Sequence, residues 1–350
     1  MIYQVYFARF TRIDAVFGFQ WHLTDRCNRR CRHCYQESFE PGAIEASPAA
    51  RRKLADAILK AIPDEPVSIN LTGGEPLLLT DLPELMAHLE TFPNLADVSI
   101  ITNGTIHDST LLETIGSFPR FTMFKMSLES GNRVINDSIR GAGSLETLRR
   151  SIPLYRQLSA RPVSLMMTLS RANAATIAET VAFAREAGAA GLMFERFVPL
   201  GNGQGMSEAV LTADDWYQAV VAIGQAAGLE VDPDELAACR AYWLWLDREP
   251  EDALDAALCN LGSEAMALMP DGTVFPCRRL EIPVGNLLHE SFSTIRSRLA
   301  EWDCANVRPR LHGDICGACS FEDCPGCRAL ARALTGDPLV DDPQCVFQRD

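Results

Sequence analysis

The twelve cysteines are the residues of this 350-residue chain whose type and spacing most clearly suggest chemistry. Three lie early, at Cys27, Cys31 and Cys34, and the other nine lie at or after Cys239. In a reducing compartment, such a density of cysteines indicates metal or redox chemistry before disulfides. The sequence therefore predicts two cysteine-based sites, one early and one late in the chain.

The early cysteines have the spacing Cx3Cx2C, which puts three thiolates within reach of one metal centre. A closed iron–sulfur cube usually takes four thiolates, and a structural zinc site takes four nitrogen or sulfur ligands. Three ligands therefore indicate a centre with one open position. The spacing alone also allows a structural zinc site, with His33 or His22 as the fourth ligand, or a cluster that arises by chance.

Two further motifs follow predicted strands. In TGGEP, Gly73 and Gly74 allow the backbone to approach a ligand, Glu75 and neighbouring carbonyls can accept from an ammonium group, and Pro76 fixes the turn. In TNG, Asn103 is a second candidate ligand-binding residue. The alternatives are an ordinary strand-to-helix turn for the first motif and a routine Asn-Gly turn for the second.

The late cysteines include a regular framework, in which Cx12Gx4C is followed by two CxxC pairs four residues apart and then by a single cysteine. Its members are Cys259, Cys277, Cys316, Cys319, Cys324, Cys327 and Cys345. The two CxxC pairs by themselves fit a zinc site and a ferredoxin-like cluster loop equally well. Cys239 and Cys304 lie outside the framework, and we expect them to be core thiols.

Between the two groups, short apolar runs alternate with amphipathic stretches, which predicts six β–α units and a parallel sheet. The predicted strands span residues 17–23, 67–71, 98–102, 122–128, 163–169 and 192–198. Ser47 before Pro48 predicts a helix start, and Pro153 is expected to kink or restart the fourth helix. Six units predict an α/β fold with a partial (β/α)6, TIM-like barrel or a doubly wound sheet. In both, the carboxyl ends of the strands collect the unusual motifs at one rim.

The composition changes after about residue 210 to segments rich in Ala, Trp and acidic residues. We predict a barrel domain over residues 1–210, a helical linker over 211–258, and a small cysteine-rich α+β domain over 259–350. In the last domain, MALMPDGTVFPC predicts a β-hairpin whose turn contains Pro270, Asp271 and Gly272.

The formal net charge of −14, from 32 Lys and Arg against 46 Asp and Glu, argues against nucleic acid or an anionic membrane as the main partner. The longest uncharged stretch, Trp216 to Leu229, is 14 residues and is too short to span a membrane. The first residues lack the pattern of a signal peptide. We therefore expect a cytoplasmic protein with no nucleic-acid or membrane partner.

The motif CNRRCRHCY, with TGGEP at the end of the next strand, resembles the radical S-adenosylmethionine (radical SAM) superfamily over roughly residues 15–205. The resemblance implies that Cys27, Cys31 and Cys34 bind a 4Fe-4S cluster and are the catalytic residues. The fourth iron would be left free to chelate the amino and carboxylate groups of SAM. His33 stands where the family has an aromatic residue before the third cysteine.

The resemblance also implies contacts to SAM around the rim, from His33, Gly73, Gly74, Glu75, Pro76, Asn103, Ser127, Glu129 and Arg140. Ser127 and Glu129 would face the ribose and the methionyl end, and Arg140 would pair with the SAM carboxylate. A surface salt bridge is the alternative for Arg140. Glu195 and Arg196 either line a substrate cavity or form a buried ion pair.

The late framework resembles the SPASM domain, which follows the barrel in one branch of the superfamily and carries two auxiliary 4Fe-4S clusters. By order, Cys259, Cys277 and Cys327 would bind the first, and Cys316, Cys319, Cys324 and Cys345 the second. The second block departs from the family spacing, x2-x4-x2 here against x2-x5-x3, so the pairing of thiolates with clusters stays open. The first cluster also needs Cys304, a non-cysteine ligand or an open iron.

This resemblance implies an oxidoreductase or maturase that cleaves SAM to a 5′-deoxyadenosyl radical and takes a hydrogen atom from its substrate. The reducing electron would come from a donor of the flavodoxin or ferredoxin type. We expect a peptide or protein side chain as the substrate, as in the crosslinking, oxidation or decarboxylation of ribosomal peptides. A haem-type tetrapyrrole is the alternative, and a non-redox, zinc-scaffolded binding protein is the alternative from a different class.

The position of the early cysteines bears on the expectation of a peptide substrate. The triplet begins at residue 27, which leaves no room in front for the peptide-recognition domain that many maturases carry. We therefore expect either a separate leader-peptide recognition protein or a small-molecule substrate.

Overall fold

One mixed sheet runs through the part of the chain that this computed structural model describes, residues 16–39, 45–229, 236, 239–249 and 252–348. Its strands are β1 (Phe17–His22), β2 (Val67–Thr72), β3 (Leu95–Thr102), β4 (Phe121–Ser127), β5 (Val163–Leu169), β6 (Gly191–Arg196), β7 (Ala241–Trp245), β8 (Leu254–Ala257), β9 (Ala265–Leu268), β10 (Thr273–Phe275) and β11 (Gly285–Asn286). Their order is β11-β10-β9-β1-β2-β3-β4-β5-β6-β7-β8. The edges β8 and β11 do not pair with each other, so the described sheet forms an open barrel, as predicted.

The six parallel neighbours β1 to β6 are the six predicted strands, with bounds shifted by a few residues. Their side chains alternate in polarity. Ile69 and Phe124 are fully buried in the core, whereas the adjacent Asn70 and Lys125 line a cavity inside the barrel. A parallel strand buried on both faces would be apolar throughout. The polar inner face therefore marks these strands as the walls of a site.

The helices whose bounds are defined are α1 (Pro48–Leu59), α2 (Leu82–Leu89), α3 (Ser109–Ser117), α4 (Arg133–Arg140), α5 (Ser144–Ser159), α6 (Ile177–Glu186), α7 (Ala213–Ala227), α8 (Phe292–Leu299), α9 (Cys304–Val307) and α10 (Arg328–Thr335). The Ser47 hydroxyl caps α1 by accepting from the N–H of Ala50 at 3.2 Å. Of the two effects expected of Pro153, a kink or a restart, the restart does not occur, because α5 runs through the proline. Burial of Ile152 and Tyr155 in the core offsets the hydrogen bond that proline cannot donate.

The predicted helical linker over 211–258 is wrong in its second half. After α7, the chain forms β7, which pairs antiparallel with β6, and β8, which pairs antiparallel with β7. The sequence of β7 shows the reason, since Tyr242 and Leu244 are buried and alternate with the partly exposed Trp243 and Trp245. Such a period of two is typical of a strand.

The late cysteine-rich region joins the opposite side of the same sheet. β9 pairs in parallel with β1, with Leu268 opposite Trp21, and β9 and β10 form the predicted hairpin. In its turn, the Asp271 carboxylate accepts from the N–H of Thr273 at 2.9 Å, and Gly272 has a φ of 86°. Because β9 pairs with β1, the late cysteine-rich region lies beside β1. The early cysteines lie on the loop that follows β1 in the chain. Within the described residues, every helix is too short or too polar to traverse a bilayer.

Candidate active site

A cavity of about 470 Å³ lies inside the open barrel at the carboxyl ends of β1 to β6. The predicted site residues that line it are Cys27, Cys31, Cys34, His33, Gly73, Gly74, Asn103, Ser127, Glu129 and Arg140. Two late cysteines, Cys259 and Cys277, line the same cavity. Glu75, Pro76 and the remaining late cysteines of the framework lie outside its lining. The tertiary structure thus brings the three early cysteines and two of the late ones to one space.

The early cysteines lie on an irregular loop that is tied to the far side of the barrel. The carbonyl of Cys31 accepts from the Asn202 side chain at 2.9 Å, and that of Cys34 accepts from the N–H of Gly203 at 3.1 Å. Burial, with a contribution from Cys31 and Cys27, raises the pKa of the Cys34 thiol to about 11. A metal must therefore displace a proton from Cys34 on binding.

Amide hydrogen bonds to sulfur are frequent among the predicted ligand cysteines. Five accept from the backbone N–H two residues further along: Cys27, Cys34, Cys277, Cys319 and Cys324. N–H groups directed at sulfur favour the thiolate form and tune iron–sulfur clusters. Cys239 and Cys304 have no such bond among the described residues. The donor set therefore fits thiolate-bound clusters.

The glycine turn after β2 packs directly on the chain that leads into Cys27. The N–H of Gly74 donates to the carbonyl of Thr24 at 2.7 Å, and Gly73 has a φ of 146°. A Cβ on Gly73 would collide with the carbonyl oxygen of Thr24, and one on Gly74 with that of Arg26. Besides lining the cavity, these glycines let the two loops meet, so a side chain at either position would displace the cysteine loop.

Glu75 does not reach the cavity, contrary to the prediction that its carboxylate accepts from a ligand's ammonium group. It is fully buried, and it accepts from the N–H of Asn103 at 2.7 Å and from the Thr102 hydroxyl at 2.8 Å. Burial raises the pKa of Glu75 to about 7 despite these bonds. Pro76 begins a short 3-10 turn behind it. Glu75 and Pro76 therefore support the Asn103 loop at the rim of the cavity from behind.

Asn103 lies beside the first cysteine. Its side-chain amide donates to Asn28 at 2.8 Å and approaches the sulfur of Cys27 at 3.8 Å. Its oxygen accepts from the N–H of Thr105, as in an ordinary turn. The residue therefore combines both of the roles that the sequence left open, a turn and a place at the site.

The buried Glu129 and Arg140 and the partly exposed His33 lie together on the cavity wall. Glu129 accepts from Arg140 at 2.9 Å, lies 3.1 Å from the Nε2 of His33, and accepts from the N–H of Thr168 at 3.1 Å. Burial alone would raise the pKa of Glu129, but His33 and Arg140 outweigh it and hold the pKa below its usual range. The salt bridge of Arg140 is thus buried, so the surface alternative is wrong for this residue.

One supporting residue was missed. Asn173 is fully buried and donates to the carbonyls of Glu129 and Thr168, each at 2.9 Å. It thereby fixes the ends of β4 and β5 to each other. Its position in SRAN, directly after a predicted strand, was the available signal.

Glu195 and Arg196 point to opposite faces of β6. Glu195 lines the cavity and forms a short ion pair with Arg279, which follows the cavity cysteine Cys277 by two residues. Arg196 points away and forms a buried ion pair with Asp342 at 3.0 Å. Glu195 therefore lines the cavity, and Arg196 forms the buried ion pair. The two roles differ because successive side chains of a strand point to opposite faces. Arg279 was not singled out from sequence.

Some of the late cysteines lie close enough to affect one another's pKa values. Burial, with smaller contributions from the nearby Cys327 and Cys277, raises the pKa of Cys259 to about 12. Burial likewise raises the pKa of Cys345 to about 11, with a smaller contribution from Cys316. Within the described residues, no three His, Cys, Asp or Glu side chains gather closely enough to hold a single metal ion.

The two unassigned cysteines differ from each other. Cys239 is buried, as expected of a core thiol. Cys304 is partly exposed and donates to the carbonyl of Glu322 at 3.3 Å, so the prediction of a core thiol is wrong there. Arginines also approach sulfur in this region: Arg240 donates to Cys324 at 2.9 Å.

Comparison with known proteins identifies two domains. The sequence profile of the radical SAM superfamily matches residues 21–184, and that of SPASM, an iron–sulfur cluster-binding domain, matches residues 259–325. The AdoMet-dependent heme synthase of Methanosarcina barkeri is 29% identical, over 94% of this chain and 95% of the relative. The mycofactocin maturase MftC of Mycobacterium tuberculosis is 23% identical, over 95% of this chain and 84% of the relative.

The fold agrees with solved structures. The structure of native anSMEcpe with bound AdoMet superposes with a TM-score of 0.72 at 16% sequence identity, and the alignment covers 95% of each chain. The two domains imply iron–sulfur clusters and SAM as cofactors. This chain is an enzyme of the radical SAM superfamily that carries a SPASM domain after its radical SAM domain.

Proposed function

We propose that this enzyme binds a 4Fe-4S cluster through Cys27, Cys31 and Cys34 and cleaves SAM reductively beside it. The observation that carries the proposal is the shared cavity, in which the three cysteines face Gly73, Gly74, Asn103 and the Glu129–Arg140 pair. When bound, the cluster and SAM supply a 5′-deoxyadenosyl radical, which takes a hydrogen atom from the substrate. An electron donor of the flavodoxin or ferredoxin type provides the reducing electron.

The chain's own residues position these groups. The N–H groups of Arg29 and Gln36 donate to the sulfurs of Cys27 and Cys34, and they stabilise the charge of the thiolates. Arg140 supplies a buried cation for the carboxylate of SAM, since its bond to Glu129 uses only one of its donors. The apolar members of the cavity lining, Met166, Met193 and Phe197 among them, exclude water from the reacting carbon.

We further propose two auxiliary clusters, three cubes in all. Cys259, Cys277 and Cys327 bind the first, and Cys316, Cys319, Cys324 and Cys345 bind the second. The effects of Cys327 and Cys277 on the pKa of Cys259, and of Cys327 on the pKa of Cys277, support the first set, and the effect of Cys316 on the pKa of Cys345 supports the second. Cys259 and Cys277 line the cavity, so an electron leaving an oxidised substrate has a short path to the first set.

A haem-type tetrapyrrole is the substrate class we propose. Three relatives named AdoMet-dependent heme synthase align with 94% of this chain, and a Methanosarcina barkeri protein named Fe-coproporphyrin III synthase is 27% identical over the same share. The cavity is also rich in cations, which suits a ligand that carries carboxylates. The second candidate is a peptide, modified with or without a separate recognition protein. It is favoured by relatives named mycofactocin maturase, which align with 95% of this chain.

The test is anaerobic reconstitution with iron and sulfide, followed by metal analysis and measurement of 5′-deoxyadenosine. We expect about 12 iron atoms per chain for three cubes, and about 8 after the triple change of Cys27, Cys31 and Cys34 to Ala, with no 5′-deoxyadenosine from that variant. Cys239→Ala is the matched control and should retain both. Stoichiometric zinc without iron absorbance, or SAM cleavage by the triple variant, would refute the proposal. An increase in 5′-deoxyadenosine with iron coproporphyrin III supports the tetrapyrrole class, and no increase disfavours it.

A further inference from the structure

A lysine lies inside the barrel, on the wall of the cavity. Lys125 is on β4, two residues before Ser127, and it lines the cavity. Its ammonium donates to the side-chain oxygen of Asn70 at 2.6 Å and lies 5.2 Å from the centre of the Trp243 ring. Both partners are uncharged. An ammonium has three protons to donate, so Lys125 retains donors for a further acceptor.

The charged groups around Lys125 are engaged with other residues. Asp97 on β3 and Glu195 on β6 are near enough to raise the pKa of Lys125. However, Asp97 accepts from Ser68 at 3.0 Å, and Glu195 forms its ion pair with Arg279. Among the described residues, no carboxylate lies within ion-pair distance of Lys125. Burial nevertheless lowers its pKa only to about 8, so most Lys125 side chains remain charged at pH 7.

The rest of the cavity lining also carries more cations than carboxylates. Five cationic side chains line it against two carboxylates: Arg29, Lys125, Arg140, Arg278 and Arg279 against Glu129 and Glu195. Both carboxylates are paired with arginine. The whole chain carries a net charge of −14, so this excess of cations is local to the cavity. A confined cationic space in an acidic protein concentrates anions.

We propose that Lys125 binds a carboxylate of the substrate and so places the carbon chain next to that carboxylate beside the SAM site. The position of Ser127, a candidate SAM contact on the same inner face of β4, puts the two ligands next to each other. This inference rests on the proposed function, because it names a substrate group for that site. The ligand chemistry is an alkyl carboxylate, which a tetrapyrrole side chain and a peptide C-terminus share.

The test is equilibrium binding to the anaerobically reconstituted, SAM-loaded enzyme. The probes are iron coproporphyrin III and its tetramethyl ester, and the tripeptide acetyl-Ala-Ala-Ala as the acid and as the C-terminal amide. The variant is Lys125→Met, which keeps the length of the side chain and removes its charge. Lys60→Met is the matched control, because Lys60 directly follows α1, is exposed, and pairs with Asp56. Lys125→Arg should restore part of the affinity.

We expect Lys125→Met to weaken binding of one acid probe by about 10- to 100-fold, as the loss of a charge-assisted hydrogen bond predicts. Binding of the corresponding ester or amide should be equal in the variant and the wild type. The acid probe that responds identifies the source of the carboxylate. Equal binding of both acids by wild type and Lys125→Met, or no preference for acid over ester and amide, would overturn the inference.

Thermal unfolding and iron content of Lys125→Met establish that the variant is folded and loaded. The 5′-deoxyadenosine formed by the wild type reports on the proposed function separately. If the wild type cleaves SAM but binds the acid probes no better than the ester and the amide, only this inference fails. If the wild type binds the carboxylate through Lys125 but forms no 5′-deoxyadenosine, the inference stands and the proposed function fails.

Discussion

Arg196 on β6 and Asp342 near the carboxyl end of the chain form an ion pair at 3.0 Å, with 2% and 0% of their side chains exposed. The guanidinium also lies 4.3 Å from the centre of the Trp216 ring. Asp342 in turn accepts from the N–H of Cys327 at 2.9 Å. This pair therefore fastens the late cysteine region to the barrel through charge as well as through the shared sheet.

We expect Asp342→Asn to lower the free energy of unfolding by about 3 kcal/mol, because removing one partner leaves the Arg196 charge buried and uncompensated. Urea denaturation of the reconstituted protein measures the change. Glu146→Gln is the matched control, since the Arg150–Glu146 pair is exposed and worth less than about 1 kcal/mol. Equal stability of the two variants would show that the buried pair does not fasten the regions.

Gly74→Ala should disrupt the early site. The new Cβ collides with the backbone of Arg26, which must shift together with Cys27. We expect loss of about 4 of about 12 iron atoms and at least a tenfold fall in 5′-deoxyadenosine formation. Gly205→Ala is the control, because nothing lies within 4 Å of a Cβ there. Full iron and full activity in Gly74→Ala would mean that the loop tolerates the displacement.

Arg140→Met should weaken SAM binding by about 10- to 100-fold, since it removes a buried cation and leaves Glu129 without its arginine. Anaerobic calorimetry measures the dissociation constant. Arg133→Met on the same helix is the control, because its side chain is 78% exposed. An unchanged dissociation constant in Arg140→Met would remove this residue from the SAM site.

Arg240→Gln should lower the reduction potential of an auxiliary cluster. Arg240 donates to the sulfur of Cys324 at 2.9 Å, and the positive charge favours the more negative, reduced cluster. A loss of about 1.4 kcal/mol corresponds to about 60 mV for a one-electron couple. Redox titration followed by electron paramagnetic resonance measures the shift, with the exposed Arg248→Gln as control. A reduction potential in Arg240→Gln equal to that of the wild type would show that Arg240 does not influence the cluster.

Substrate affinity should fall as the pH rises through about 8. Burial lowers the pKa of Lys125 to about 8, so the side chain is charged below that pH and neutral above it, whereas a carboxylate stays ionised throughout. The dissociation constant of the responding acid probe, measured from pH 6.5 to 9.5, should therefore rise in the wild type above pH 8. In Lys125→Met it should be flat over this range. A profile in the variant that matches the wild type would assign the titration to another group.

The sequence by itself determined the parts of the site that depend on local spacing. Cysteines three and four residues apart must share a loop, and alternating apolar runs revealed all six parallel strands and the hairpin after Pro270. The period-two pattern of β7 was present too, but its tryptophans and alanines suggested a helix. These signals are local because a strand, a turn or a ligand loop is specified by residues within one short segment.

Only the tertiary structure decided which side chains share the cavity. It turned Glu75 inward under Asn103, where sequence had placed it against a ligand, and it put Cys259 and Cys277 in the wall of the early site. It also directed Lys125 into the barrel. The direction of a strand residue depends on register across the sheet, and its partners lie far away in sequence: Asn70 is 55 residues from Lys125. No local pattern can specify such a pairing, because it forms only when β2 and β4 are assembled in one curved sheet.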